Sequence, residues 1–180
     1  VDVNGDGLTD MVVGVSNPGG GNNRTTSDVY LNPGDGSWPG APTASWEVSL
    51  LTGTIVGGVM QDVGSRFADV NGDGFIDAMT SVVTQSATGG LSYAKTTYLN
   101  TGSGWTESTT WVPPVSFIAR DVLTFSQDNG ARLVDLNGDG LTDISLNPTT
   151  SFTSSEVGNY YNTGSGWSKS GNPILGYSTG

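Results

Sequence analysis

The chain has 180 residues, with 28 Gly, no Cys, no His, and 17 acidic against six basic side chains for a formal net charge of -11. That length suffices for one domain with a real core. The missing residue types exclude thiolate and imidazole metal sites, cysteine nucleophiles, histidine-based triads and disulfides, and the charge argues against a nucleic-acid partner, which needs Lys and Arg on its phosphates. No stretch is long and apolar enough to span a bilayer, and no signal peptide stands at the start. The chain opens on Val1 rather than Met, which reads as a processed or excised piece. The good helix formers Lys, Glu and Ala are scarce. Val, Thr, Tyr and Trp set between Gly and Asn clusters favour short strands joined by tight turns.

In chain order, the first feature is the loop Asp2-Val3-Asn4-Gly5-Asp6-Gly7-Leu8-Thr9-Asp10. It is followed by predicted strands at 11–15 and 28–31, then by the turn Tyr30-Leu31-Asn32-Pro33-Gly34-Asp35-Gly36-Ser37-Trp38 and a further strand at 45–51. A strand at 66–70 leads into a second loop, Asp69 to Asp77. Strands at 78–83 and 93–99 follow, then Tyr98-Leu99-Asn100-Thr101-Gly102-Ser103-Gly104-Trp105 and a strand at 105–112. A strand at 131–136 leads into the third loop, Asp135 to Asp143. Strands at 144–146 and 157–161 precede Tyr161-Asn162-Thr163-Gly164-Ser165-Gly166-Trp167. Two landmarks in fixed order, three times over at a spacing of about 66 residues, define a repeat.

The approximate repeats are 1–66, 67–132 and 133–180, the first and last incomplete, within a single repeat domain. About four antiparallel strands per repeat fit the blade of a β-propeller. The fold class expected is therefore all-β, with about three four-stranded blades. Three blades are too few to close a ring. Unclosed blades leave sheet edges open to pairing, so the partner expected is either the rest of a larger propeller or another copy of the chain.

Nine of the acidic residues lie in the three loops, where they would repel one another without a cation. A hard cation such as calcium takes six to eight oxygens in irregular geometry. Side chains at alternate positions supply them: Asp2, Asn4 and Asp6, with the Leu8 carbonyl and Asp10 closing the first site. Asp69, Asn71, Asp73, the Phe75 carbonyl and Asp77 do so in the second, and Asp135, Asn137, Asp139, the Leu141 carbonyl and Asp143 in the third. About three Ca2+ ions, one per loop, are the expected cofactor. Gly7, Gly74 and Gly140 allow the chain to turn sharply, and Gly5, Gly72 and Gly138 permit close approach of the backbone. Leu8, Phe75 and Leu141 are expected to point their side chains into the core. The competing reading is a plain Asn-Gly/Asp-Gly hairpin turn without metal. An EF-hand needs flanking helices and a Glu at position 12, where Val13, Thr80 and Leu146 stand instead; dockerin modules also need a helix after the loop.

These loops resemble the calcium loops of FG-GAP/VCBS repeats, found in integrin α-subunit propellers and in many bacterial and archaeal surface or secreted proteins. The Asn-Thr-Gly-Ser-Gly-Trp turns resemble bacterial versions. The resemblance covers essentially the whole chain. The Phe-Gly and Gly-Ala-Pro landmarks are not clearly present, since Gly40-Ala41-Pro42 sits in another part of the repeat. The family implies structural calcium, adhesion and a protein or glycan ligand. Calcium sites of moderate affinity fill most readily outside the cytosol, so the expected setting is extracellular, secreted or cell-surface.

Trp38, Trp105 and Trp167 recur after the turns and Trp46 and Trp111 in the next strand. They read as packing between blades, or alternatively as the sugar-stacking platforms of a lectin-like module. Asn23-Arg24-Thr25 matches a glycosylation acceptor, and Pro113-Pro114 a strand-breaking loop. A hydrolase is the least favoured class. No His is present to activate Ser or Thr, and Glu47, Glu107 and Glu156 stand apart from any carboxylate partner, so no catalytic residue is expected.

Overall fold

A computed structural model describes residues 1–16, 25–43, 46, 53–56, 59–85, 88, 90–121, 126–147 and 155–170. The described part is all-β, in three sheets taken in chain order. The first holds β1 (Met11–Ser16), β2 (Thr25–Tyr30), β3 (Gly53–Val56) and β4 (Val59–Asp62) in the order β2-β1-β3-β4. The second holds β5 (Ser65–Ala68), β6 (Asp77–Gln85), β7 (Leu91–Asn100), β8 (Trp105–Ser108), β9 (Ile118–Asp121) and β10 (Gln127–Asp128). The third is the simple meander of β11 (Ala131–Val134), β12 (Asp143–Leu146), β13 (Gly158–Asn162) and β14 (Trp167–Ser170). These are the expected blade-like sheets, and among the described residues they form no closed ring.

The second sheet shows why the repeat is longer than four strands. β6 pairs antiparallel with β7 over Ala78 to Gln85, but β5 covers only its first four residues, Asp77 to Thr80. Its far half is covered instead by β9, which runs parallel to it from Val82↔Ile118 to Gln85↔Asp121. Ser81 is the point of exchange. Its N–H donates to the Gly64 carbonyl at 3.1 Å, its carbonyl accepts from Phe117 N–H at 3.0 Å, and its hydroxyl donates to the Val115 carbonyl. A Cβ on Gly64, which has φ of +77°, would stand 2.5 Å from the Ser81 carbonyl oxygen, so only glycine lets the two chains approach. The first sheet repeats the device, with β3 parallel to β1 at Val15↔Gly53 and Ser16↔Thr54. The purely antiparallel unit expected from sequence thus gains a parallel-paired hairpin.

One other predicted element departs from expectation, and the first turn differs from the other two. The predicted strand at 105–112 stops at Ser108, and Trp111 beyond it is buried. After the first turn residues 38–43 form no strand, although Trp105 and Trp167 open β8 and β14. Pro39 and Pro42 account for this, because proline has no N–H to give a ladder. Residues 45, 47–51, 23 and 24, which bear on the predicted strand at 45–51, on Glu47 and on the glycosylation triplet, lie outside the described residues.

The apolar core lies between sheets more than within them. One cluster joins Val70, Met79, Trp111 and Phe117 of the second repeat to Ile144, Leu146 and Tyr160 of the third. Another joins Val3, Val29 and Trp46, with Trp105 of the second repeat packed against it. A single sheet of this size cannot bury its apolar face alone, and stacking supplies the missing cover.

Candidate metal centre

Each loop folds through its own carboxylates. In the first, Asp2 accepts from Gly5 N–H at 2.7 Å on one oxygen and from Gly7 N–H at 2.8 Å on the other. Asp6 accepts from Leu8 N–H at 2.8 Å and from the Asn4 amide at 2.9 Å, while Asn4 Oδ1 accepts from Asp6 N–H at 3.1 Å. The same five bonds recur around Asp69, Asn71 and Asp73 and around Asp135, Asn137 and Asp139. They require left-handed backbone at the fourth and sixth positions, where Gly5 and Gly7 have φ of 76° and 86°. At Asp135 the N–H groups of Gly140 and Gly138 hold the carboxyl below the usual carboxylate range.

The closing aspartates sit apart from this lip. Asp10, Asp77 and Asp143 are buried, the last two completely. Each takes one backbone N–H on each oxygen. Asp77 accepts from Val70 at 2.9 Å and from Asn100 at 2.8 Å; Asp10 does so from Val3 and Asn32, and Asp143 from Leu136 and Asn162. The closing carboxylate is therefore a strut, fastening the loop's second residue to the asparagine of the following turn. Burial pushes the Asp77 carboxyl up to about 6, against the pull of its two N–H donors and with help from the charges of Asp73 and Asp69.

All the donors at these places are hard oxygens, the chemistry calcium takes. A carboxylate offers about four acceptor positions, and the two N–H bonds on each closing aspartate leave the others unspent. Open space surrounds Gly7, Gly74, Gly138 and Gly140. Among the described residues, however, no three carboxylates converge closely enough to share an ion as the side chains lie. The donor chemistry fits a calcium ion, and the Asn4–Asp6 type of bond is what a converging arrangement would have to release.

Leu8, Phe75 and Leu141 do not enter the core as expected. Leu8 is exposed and the other two are half-buried. Each lies across glycines instead. A Cβ on Gly5 would meet the Phe75 ring at 2.9 Å, and one on Gly72 would meet Leu141 at 3.1 Å, so the seventh residue of one loop rests on the fourth residue of the loop before it. The short loop leaves the seventh side chain on the outer rim, where a neighbouring glycine is the surface that accepts it.

The loops are also tied to one another by residues that the motif did not mark. The Asn100 amide donates to the Val3 carbonyl at 2.7 Å and to Ile76 of its own loop at 3.2 Å, and the Asn162 amide donates to the Val70 carbonyl at 2.7 Å. Both asparagines are buried. Their signal was present, since Asn32, Asn100 and Asn162 hold the same place in the recurrent turn. Trp46 meets Trp105 edge-on at 5.7 Å between ring centres, and Trp111 meets Trp167 at 5.8 Å. Trp105 and Trp167 thus serve between sheets, whereas Trp38 is 51% exposed. Glu156 pairs with Lys95 at 2.9 Å and accepts from Ser116 N–H at 2.7 Å. Neither Lys95 nor Glu156 recurs in the repeat, so nothing in the pattern could have found them.

The sheets and loops together define a repeated β-blade module whose loops are also its joints. Residues 2–80 match the family model of the FG-GAP-like repeat, and that stretch is similar to such repeats. The match runs from the first loop through the second, and the third loop carries the same bonds beyond it. No individual curated protein and no solved structure matches the chain.

Proposed function

We propose that the chain is a calcium-stabilised β-propeller-like repeat module of an extracellular protein, serving adhesion or assembly. One ion is assigned to each loop, held by Asp2, Asn4, Asp6, the Leu8 carbonyl and Asp10, and by their counterparts at 69–77 and 135–143. The observation that carries the reading is the identity of the three loops bond for bond, with each closing aspartate joined to the next turn. An ion at the lip would offset the repulsion of three carboxylates per loop, and through the closing aspartate it would stiffen the joint to the neighbouring sheet. Among the described residues no helix is long and apolar enough to cross a membrane. The lectin-like alternative loses support because Trp105 and Trp167 are engaged with Trp46 and Trp111. A hydrolase loses support because Glu156 is engaged with Lys95 and Ser116.

The test is thermal unfolding with millimolar calcium and with chelator. Binding to the folded state alone stabilises it by about 2.7 kcal/mol at a hundredfold excess over Kd, so the melting temperature should rise by several degrees with calcium. Coincident curves would remove calcium from the account.

A further inference from the structure

The three loops stand on one buried line of hydrogen bonds. Asp10 accepts from Val3 N–H at 2.8 Å, and the Val3 carbonyl accepts from the Asn100 amide at 2.7 Å. Asn100 N–H donates to Asp77 at 2.8 Å, and the other oxygen of Asp77 accepts from Val70 N–H at 2.9 Å. The Val70 carbonyl accepts from the Asn162 amide at 2.7 Å, and Asn162 N–H donates to Asp143 at 2.7 Å. A closing aspartate, the second residue of a loop and the asparagine of a turn thus follow one another in fixed order through all three loops.

Asn100 cannot move alone. It is 1% exposed. Besides its bonds to Asp77 and Val3, it donates its second amide hydrogen to the Ile76 carbonyl at 3.2 Å, and its Oδ1 accepts from Gly102 N–H at 2.8 Å. All its donors are engaged, so a shift would break bonds in two loops and a turn at once. Asn162, equally buried, bridges Asp143 and Val70 and accepts from Gly164 N–H at 2.9 Å. Buried bonds of this kind are costly to leave unmade, so the two asparagines hold adjacent loops in register.

A second tie runs along the rim. Phe75 and Leu141, whose carbonyls are assigned as ligands, rest their side chains on Gly5 and Gly72 of the loop before. Gly5 stands between Asn4 and Asp6, and Gly72 between Asn71 and Asp73. The seventh residue of one loop therefore bears on the ligand-bearing stretch of its neighbour.

From these two ties, and resting on the calcium reading above, we infer that the loops fill as a linked set. Each filled loop raises the calcium affinity of the loop beside it, and Asn100 and Asn162 are the positioning residues that carry the linkage. Two effects oppose each other here. Cations in neighbouring loops repel, but Asp6, Asp73 and Asp139 lie on exposed lips, where physiological salt screens charges beyond about 8 Å. In the other direction, filling a loop requires release of its Asn4–Asp6 type of bond and fixing of its closing aspartate. Because Asp77 and Val3 share Asn100, and Asp143 and Val70 share Asn162, the cost of ordering the shared residues falls on the first loop filled and is absent from the next. Couplings between sites typically amount to about 5- to 150-fold in affinity, enough to outweigh a screened repulsion.

The test is equilibrium dialysis of the full metal-free chain against calcium at about 0.15 M salt. The parent should bind its ions with a Hill coefficient of about 1.5 or more, the ceiling being the number of sites. Asn100→Ala and Asn162→Ala together touch no ligand, so the number of ions should stay and the coefficient should fall to near one, a change that a merely structural role would not produce. Phe75→Ala with Leu141→Ala keeps both carbonyls, removes the rim tie from half-buried positions, and should also lower the coefficient. Before calcium is added, β6 and β7 should already be protected from hydrogen exchange. If they are not, folding rather than the asparagines links the sites and the inference falls. It falls too if the parent coefficient is one or less, or if the asparagine double variant keeps the parent value. Uptake by uncoupled loops sinks only the linkage, whereas no uptake by folded chain sinks the calcium reading and the linkage with it.

Discussion

The joint between the first and second sheets and the joint between the second and third share three devices and differ in a fourth. Both have an asparagine amide on a loop carbonyl, a loop side chain over a glycine, and an edge-on tryptophan pair. Among the described residues the later joint adds the Lys95–Glu156 ion pair, with Ser116 N–H on the same carboxylate, where the earlier joint has Ser126 donating to the Gln61 side-chain oxygen. The shared devices sit in the loop and the turn, the segments that recur in sequence. The added one joins β7 to the segment just before β13, and it belongs to that pair of repeats alone. The repeated motif thus carries the minimum needed to stack, and local substitutions decide how firmly each pair of sheets is held.

The largest effect expected is the one that breaks both joints at once. Asp77 holds the N–H groups of Val70 and Asn100; Val70 receives Asn162 of the later joint, and Asn100 reaches Val3 of the earlier one. Asp77→Ala leaves two buried N–H groups unsatisfied and removes charge-assisted bonds, and should cost about 3–5 kcal/mol in denaturant unfolding. Glu156→Ala should break only the later joint. Removing one member of a largely buried pair costs about 3 kcal/mol. Hydrogen exchange should show protection lost around Asn162 and kept around Asn100; equal loss at both would mean that the joints are not separable.

The shared device can be sharpened by equal substitutions. Asn100→Ala and Asn162→Ala each remove one buried amide and leave a carbonyl unpaired, at about 1–2 kcal/mol apiece. Similar values would support one repeated part in two places, and a large disparity would mean that the surroundings decide its worth.

The smallest effect is a pH dependence. The folded-state pKa of Asp77 is raised from the ordinary 3.8 to about 6. Between these values the folded chain binds more protons than the unfolded one, so with chelator present stability should fall as pH rises through that window. A cation beside the loop favours the charged form, so calcium should flatten or reverse the slope. An unchanged slope with calcium would argue against an ion near this carboxylate.

Much of the fold was legible because the repeat punctuates itself. Asn-Gly-Asp-Gly fixes where each hairpin bends, and the apolar residues after Asp10, Asp77 and Asp143 mark where the second strand starts. What remained hidden depended on sequence-distant neighbours. The hairpin β9–β10 joins the sheet through β9, which runs parallel to the far half of β6 just beyond Ser81, and no local periodicity reports a partner so far away in sequence. Leu8, Phe75 and Leu141 look like core residues by type, yet their cover comes from glycines in another repeat or in the following turn. The loop motif singled out Asp10, Asp77 and Asp143 as closing ligands, while the bonds they accept from the turn asparagines emerge only once turn and loop are brought together.

The central claim is that each loop holds one calcium ion, and counting bound ions tests it most directly. Equilibrium titration of the metal-free chain with calcium, followed by calorimetry, should give about three ions per chain, and about two for a variant with Asp69→Ala and Asp73→Ala together. No uptake at millimolar calcium by folded protein, or uptake that the double variant leaves unchanged, would contradict it.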